Sequence, residues 1–366
     1  MPHVKDSIDR LQFAYVNGRS TENAIIILTH RVCSHLDKKS TNTARALFLD
    51  FSSAFNTIQP HLMVEKLREL GVPQYLQLWV LDYLTKRPQY VRTAYGTSSV
   101  ITLNTGAPQG CVLSPVLFLL YTNSLQWNSE KVLVEKYADD TVIVGLLTDN
   151  DVNEYFRCIE FVHSWCNRNY LNLNASKTKE IVWDFRRNCD TFLPVTINND
   201  VIDVARTYKY LGLTIDEKLN FGDHVRNILK KAQKRLYCIR ALKKLNVDTA
   251  IISHFYNATM SPTLLYACIG FYGLLPLYLR RELDRPRRIC SKILGTANDL
   301  NINEEMYKES LLRKGISIMK DNCHPLHEEY EMLPNGRRLR VPRIRTSRFR
   351  NTFVPQSILH INEQKK

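Results

Sequence analysis

Asp50 closes the apolar run Leu47-Phe48-Leu49, and Asp139 and Asp140 stand side by side between two more apolar stretches, Val132 to Val134 and Thr141 to Val144. Adjacent like charges repel, so an Asp-Asp pair in a turn is either solvated or neutralised by a cation. A few carboxylate oxygens, completed by phosphates and water, are the ligands that Mg²⁺ takes. Two such ions, about 3.5 to 4 Å apart, can activate an attacking hydroxyl and stabilise a departing pyrophosphate. Taken alone, Asp50 reads as the end of a strand capping the next helix. The second acidic site changes that reading, because the chemistry requires acids from different strands to converge.

The elements that would position these acids are short. β-like runs cover Ala46 to Phe51, Tyr90 to Ala94, Val100 to Leu103, Val132 to Tyr137, Thr141 to Leu146 and Glu180 to Phe185. The second acidic site thereby takes the form of a hairpin, Tyr137-Ala138-Asp139-Asp140, with its acids at the turn. Val152, Tyr155, Phe156, Ile159, Val162 and Cys166 recur at helical spacing, as do Val225, Ile228, Leu229, Ala232, Leu236 and Ile239. An α+β layer to about residue 215 is expected, followed by a helical region. The apolar stretch from Leu264 to Leu279 is interrupted by Tyr, Gly and Pro and reads as a buried helix pair rather than a membrane span. From Pro334 onward Arg337, Arg338, Arg340, Arg343, Arg345, Arg348 and Arg350 form a basic extension, expected to pack loosely among turn residues.

A chain of 366 residues, 44% of them hydrophobic, can bury a substantial core, and its net charge of +14 favours a polyanionic partner. Nine cysteines fall in no regular framework and no secretory segment opens the chain, which argues for reduced thiols. Cys323, His324 and His327 lack the paired spacing of a zinc site. The expectation is an intracellular protein that faces nucleic acid, with nucleus and cytoplasm both open, no membrane partner and no oligomeric state set by the sequence.

Five ordered signatures then resemble one family. Asp50 to Phe55 resembles polymerase motif A, and Gly106-Ala107-Pro108-Gln109-Gly110 with Leu113-Ser114-Pro115 resembles motif B. Tyr137 to Asp140 is similar to the reverse-transcriptase form of motif C, Asn172-Leu173-Asn174 with Ser176 to Lys179 to motif D, and Tyr210-Leu211-Gly212 to the primer-grip motif E. Leu11 to Tyr15 and Arg19-Ser20-Thr21 resemble the reverse transcriptases of LINE-type retrotransposons, which lack long terminal repeats.

The resemblance implies a palm with an antiparallel sheet and helices, followed by a helical thumb. It implies an RNA-directed DNA polymerase that transfers nucleotides from dNTP to a DNA primer on an RNA template with two Mg²⁺ ions, Mn²⁺ being an alternative. Asp50 and Asp139 would bind both ions, with Asp140 as a weaker ligand and the Phe51 carbonyl as an extra one. Phe55 would lie under the sugar, where a ring excludes a ribose 2′-hydroxyl. Gln109 and Gly110, in the loop before the helix that Ser114-Pro115 should open, would contact the incoming nucleotide. Lys177, or else Lys179, would stand near the triphosphate and protonate the departing pyrophosphate. Tyr210 to Gly212 would grip the primer, and Arg226, Lys230, Lys231, Lys234 and Arg235 would track the nucleic-acid backbone.

Implied domains are partial fingers at 1–40, a palm at 41–215, a thumb at 216–300 and the basic extension at 301–366. Relatives carry an upstream fingers segment and usually an endonuclease, so the chain is expected to be a truncated core with a poor nucleotide site. Motif A departs from many relatives in reading Phe55-Asn56 rather than Phe-Asp. The alternative is a non-catalytic nucleic-acid-binding relic, against which the intact Asp50 and Asp139 weigh. An RNA-templated RNA polymerase shares the palm, but Tyr137 to Asp140 and Phe55 weigh against it.

Overall fold

A computed structural model of the chain describes residues 4, 7–186, 192–295 and 303–364. The helices are α1 (Thr21–Lys38), α2 (Pro60–Glu69), α3 (Gln74–Leu84), α4 (Leu113–Tyr121), α5 (Asn153–Arg168), α6 (Gly222–Lys244), α7 (Thr249–Phe255), α8 (Ser261–Leu265), α9 (Cys268–Phe271), α10 (Leu277–Leu294), α11 (Asn303–Met319), α12 (Ser347–Arg350) and α13 (Phe353–Gln364). The strands are β1 (Thr43–Leu49), β2 (Phe51–Ser52), β3 (Arg87–Gln89), β4 (Arg92–Thr93), β5 (Gly96–Thr97), β6 (Ile101–Leu103), β7 (Val132–Tyr137), β8 (Asp140–Leu147), β9 (Asn172–Leu173), β10 (Lys179–Trp183), β11 (Thr196–Ile197), β12 (Asp200–Val201), β13 (Thr207–Tyr210) and β14 (Leu213–Asp216). This is the expected α+β class. The chain divides into two compact units, Met1–Ala24 with Ala44–Val182 and Asn188–Ala205, and Ile25–Thr43 with Trp183–Arg187 and Arg206–Lys366, bounds that differ from those expected for fingers, palm and thumb.

The first unit is built on a four-stranded sheet in the order β10-β1-β8-β7. Every residue of β1 is buried, as is β8 after Asp140, which is why both read as continuous apolar runs. β7 and β8 form an antiparallel hairpin registered from Val132↔Gly145 to Tyr137↔Asp140. Helix α5 lays Tyr155, Ile159 and Val162 into the core that also takes Leu117 and Phe118 of α4. Gly145 is required there, because a Cβ would stand 2.6 Å from the Tyr155 ring. Within this core Arg45 of β1 forms a bidentate pair with Glu180 of β10, at 2.7 Å for both contacts, with neither side chain exposed. The Tyr155 hydroxyl donates to Glu180 at 2.8 Å, so the carboxylate is hydrogen-bonded from two sides.

The stretch Tyr90 to Ala94 is not the single strand expected. Val91 exchanges contacts with Ser98, whose Oγ accepts the Val91 N–H at 2.9 Å while its own N–H donates to the Val91 carbonyl. The chain therefore folds back through β4 and β5 before β6 returns to β3.

In the second unit β13 and β14 pair from Thr207↔Asp216 to Tyr210↔Leu213. Asp216 accepts the backbone N–H groups of Lys218, Asn220 and Phe221, which shapes the entry to α6. Helix α6 buries Val225, Ile228, Ala232, Leu236 and Ile239, as its spacing predicts. The stretch Leu264 to Leu279 is more broken than a helix pair, passing through α8, α9, a single 3₁₀ turn and the start of α10. Among the described residues no helix is long and apolar enough to cross a membrane.

The tail corrects the expectation of loose packing. Asp37 accepts the backbone N–H groups of Arg345 and Thr346, at 2.9 and 2.7 Å. The Arg348 guanidinium lies 3.4 Å from the centre of the Phe185 ring. Phe349, Phe353, Val354, Ile358 and Ile361 are buried. The arginine run ends at Arg350, and most of the apolar set that α12 and α13 bury follows it, so composition alone concealed a folded element.

Candidate active site

Asp50 follows the last residue of β1, and Asp140 is the first residue of β8, the adjacent strand. Asp139 is the second residue of the two-residue turn joining β7 to β8. The turn takes Ala138 to φ 57°, a left-handed conformation disfavoured by a Cβ. Such strain persists where surrounding structure imposes it, often at working sites.

The three acids act on one another. Burial, and then the charges of Asp139 and Asp50, push the Asp140 carboxyl up to about 6. Asp50 Oδ2 is buried with no hydrogen-bond partner, and Lys177 Nζ stands 3.8 Å from it. Buried carboxylate oxygens ordinarily have a donor.

The backbone around Asp50 is held firmly. Its N–H donates to the buried Thr178 Oγ1 at 3.3 Å, and its carbonyl accepts the Asn174 N–H at 2.8 Å. Beside it Phe51 pairs with Leu173 across β2 and β9. Asn174 Oδ1 accepts from Ser176 Oγ and from the Lys177 N–H, closing the turn that carries Lys177. Lys179 is paired with Asp203 at 2.7 Å, so of the two lysines Lys177 is the one beside the acids.

Phe55 packs its ring against Phe118 of α4, with centroids 4.7 Å apart. The Ala107 N–H donates to the Phe55 carbonyl at 2.8 Å, and Gly106 N–H to the Ile58 carbonyl at 2.7 Å. Gly106 has φ 74°, and a Cβ there would lie 2.8 Å from the Asn56 backbone, so glycine is obligatory. Gln109 and Gly110 are exposed, and Gln109 Nε2 donates to Asn56 Oδ1 at 3.1 Å. An open cleft of about 720 Å³ is lined by Asn56, Arg87, Gln89, Ala107, Pro108 and Gln109. Helix α4 opens at Leu113, one residue before the Ser114-Pro115 expected to start it.

In the second unit the turn residues Leu211 and Gly212 have φ 46° and 85°, while the Tyr210 side chain is buried and belongs to the core. On α6, Arg226, Lys230, Lys231 and Lys234 are exposed and Arg235 is half-buried, with Arg226 paired to Asp223 at 2.6 Å. His324 is buried, and His327 Nδ1 lies 3.2 Å from the Ile318 carbonyl.

Residues 2–215 match the family described as reverse transcriptase (RNA-dependent DNA polymerase). The chain belongs to this reverse transcriptase family. It is 27% identical over 309 residues to an RNA-directed DNA polymerase from mobile element jockey of Drosophila melanogaster, covering 80% of this chain and 32% of that protein. It is 26% identical to the jockey protein of Drosophila funebris, covering 97% of this chain and 40% of that one. A probable RNA-directed DNA polymerase from transposon X-element of Drosophila melanogaster is 24% identical over 95% of this chain and 38% of its own length. All three relatives are named as RNA-directed DNA polymerases of mobile elements or transposons. The chain thus spans two fifths or less of the length of these curated relatives. Among solved structures it resembles telomerase from Candida albicans in complex with a fragment of telomeric RNA, at TM-score 0.42 and 12% identity over 86% of this chain and 54% of that one. A short second match, residues 223–261 to the N-terminal region of alkylated DNA repair protein alkB homolog 8, covers too little to assign a family.

Reverse transcriptases generally use divalent metal ions. The donor set suits a hard cation: the Asp140 carboxyl, pushed up by the charges of Asp139 and Asp50 after burial, and a buried Asp50 oxygen without a donor. Among the described residues no three side chains are grouped to hold a metal by themselves.

Three residues escaped the sequence reading. Arg87 donates to the Gly106 and Thr105 carbonyls, both at 2.7 Å, and so braces the motif B loop. A lone arginine between Lys86 and Pro88 carries no signal of that. Tyr15 lies close enough to Asp139 that, after burial, this charge raises its phenol pKa. The Phe13 N–H donates to the Lys136 carbonyl at 2.9 Å, which brings this segment beside β7. Cys111, in the motif B loop, is the third. Burial raises its thiol pKa, but hydrogen bonds from Ser114, Tyr83 and the Leu113 backbone pull it down to about 7.

Proposed function

We propose that the chain is the core of an RNA-directed DNA polymerase that extends a DNA primer on an RNA template. The observation that carries this reading is that the charges of Asp139 and Asp50 both act on Asp140, while an Asp50 oxygen has no hydrogen-bond donor. Asp50 and Asp139 would hold two Mg²⁺ ions, with the Phe51 carbonyl assisting and Asp140 behind. When bound, those ions lower the pKa of the primer 3′-hydroxyl and offset charge on the phosphates.

The primer 3′-hydroxyl gives its proton to solvent water, and its oxygen forms a bond to the dNTP α-phosphorus as the bond to pyrophosphate breaks. Lys177 supplies a proton to that leaving group. Phe55, braced by Phe118, sits beneath the sugar and excludes a 2′-hydroxyl. Gln109, steadied by Asn56, faces the incoming nucleotide from the open cleft, with the exposed Gly110 next to it in the chain. The Leu211-Gly212 turn supports the primer end. The cations of α6 follow the phosphate backbone.

The direct test is primer extension on poly(rA)/oligo(dT) with Mg²⁺, using this chain and a version extended upstream by a fingers segment. Extension by either that is lost in Asp139→Ala, with RNA affinity nearly unchanged, is the expected result. Extension at the parental rate in Asp139→Ala would overturn the assignment.

A further inference from the structure

The β13–β14 turn holds a leucine where leucine does not belong. Tyr210 pairs with Leu213, which leaves a two-residue turn in which Leu211 has φ 46° and Gly212 φ 85°. Two positive φ values define the turn type that fits the twist of a hairpin, and glycine, asparagine or aspartate normally fills it. Gly212 meets that demand. Leu211 does not, since its Cβ crowds the following carbonyl. Something else must hold it.

Tyr266, between α8 and α9, does so from outside the hairpin. Its hydroxyl donates to the Leu211 carbonyl at 2.6 Å. Its ring lies over Gly212, where a Cβ would come within 3.0 Å of Cε1. The next residue, Ala267, has φ 53°, so the chain carrying Tyr266 is itself sharply bent. Because Tyr210 is buried, the turn presents Leu211 and its backbone rather than the tyrosine side chain.

We propose that Tyr266 is the positioning residue of the primer grip, fixing the Leu211-Gly212 turn through its phenol so that the turn's backbone meets the primer's 3′ end in one conformation. This rests on reading the turn as a primer contact. Tyr266 orders the contact surface before nucleic acid arrives, and losing its hydroxyl frees the turn to relax toward conformations that leucine prefers.

The test uses the full chain and a DNA primer recessed on an RNA template, with 2-aminopurine at the primer 3′ terminus. Tyr266→Phe keeps the ring and removes only the donor. It should weaken affinity for the recessed primer–template by roughly five- to tenfold, the loss of one hydrogen bond, and alter the 2-aminopurine signal. Affinity for the single-stranded RNA template and the melting temperature should stay at parental values. Gly212→Ala, which strains the turn directly, should lose the same preference for the recessed end.

If Gly212→Ala loses that preference while Tyr266→Phe keeps it, the turn grips the primer but Tyr266 does not position it. If both keep it, the primer-grip reading falls and the proposal with it. A Tyr266→Phe variant that loses recessed and single-stranded binding equally, or melts early, would show a structural role only and overturn the proposal.

Discussion

Two carboxylates associated with the same sheet have opposite fates. Glu180, on β10, is wholly buried and neutralised in place by the bidentate Arg45 and the Tyr155 hydroxyl. Asp50, at the end of the neighbouring β1, is partly exposed, keeps an oxygen without a donor, and has two further acids for company. The sheet can plainly supply internal partners for a negative charge. Glu180 has a bidentate arginine and a hydroxyl donor, whereas Asp50 Oδ2 has only the Lys177 ammonium at 3.8 Å; in the proposed function cations and phosphates complete that acidic end. Folding and function thus use the same chemistry with opposite completeness.

The largest effect should come from breaking the completed side. Arg45→Ala leaves Glu180 buried and uncompensated, which should destabilise the first unit by about 3 to 5 kcal/mol in urea denaturation. A loss below about 1 kcal/mol would mean that Glu180 is no better neutralised than Asp50.

A smaller change of opposite sign is expected at the other end. The folded-state pKa of Asp140, about 6, lies above the ordinary aspartate value of 3.8, so the folded protein takes up a proton between those values. This favourable linkage is full below about pH 4 and lost as pH rises through 6. Asp140→Asn should therefore raise the melting temperature at pH 7.5, and the gain should vanish below pH 4. A variant less stable than the parent at pH 7.5 would show that Asp140 is already paired.

Salt sharpens the contrast further. The gain from Asp140→Asn should shrink between 0.05 and 0.5 M NaCl, because these acids reach solvent. The cost of Arg45→Ala should hardly move, since that pair is sealed from ions. Equal salt dependence in both would erase the distinction. Phe55→Ala should have the least effect on this electrostatic comparison while relaxing selection of dNTP over rNTP by roughly tenfold or more, measured by single-nucleotide incorporation. Unchanged sugar selection would assign Phe55 to the core beside Phe118.

Local chemistry made much of this legible in the sequence. The β7–β8 hairpin was readable because apolar runs flank a short acidic turn, and α5 and α6 because their apolar spacing is helical. Asp50 gained meaning only through its order relative to motifs B, C and D. What the sequence hid was pairing across the chain. Arg45 and Glu180 are 135 residues apart and nothing local marks either as a partner. Asn56, which looked only like a departure from its relatives, accepts the Gln109 amide 53 residues away. The tail misled for the converse reason: its arginines dominated the composition, while the apolar residues that fold it, Phe349 and Phe353 among them, lie at the end of the arginine run and beyond it. Tyr210 was expected at the primer surface because motif order placed it there, and burial assigns its side chain to the core.

In the proposed function Asp50 and Asp139 form an unfinished site which divalent cations complete. The most direct measurement is the melting temperature of the parent and of a double Asp50→Asn, Asp139→Asn variant, titrated with Mg²⁺ at pH 7.5 and constant ionic strength. The parent should be stabilised in a saturable way, as a ligand bound only by the folded state requires. The variant should start more stable without Mg²⁺ and respond little to it. Equal Mg²⁺ responses in the two proteins would contradict the account.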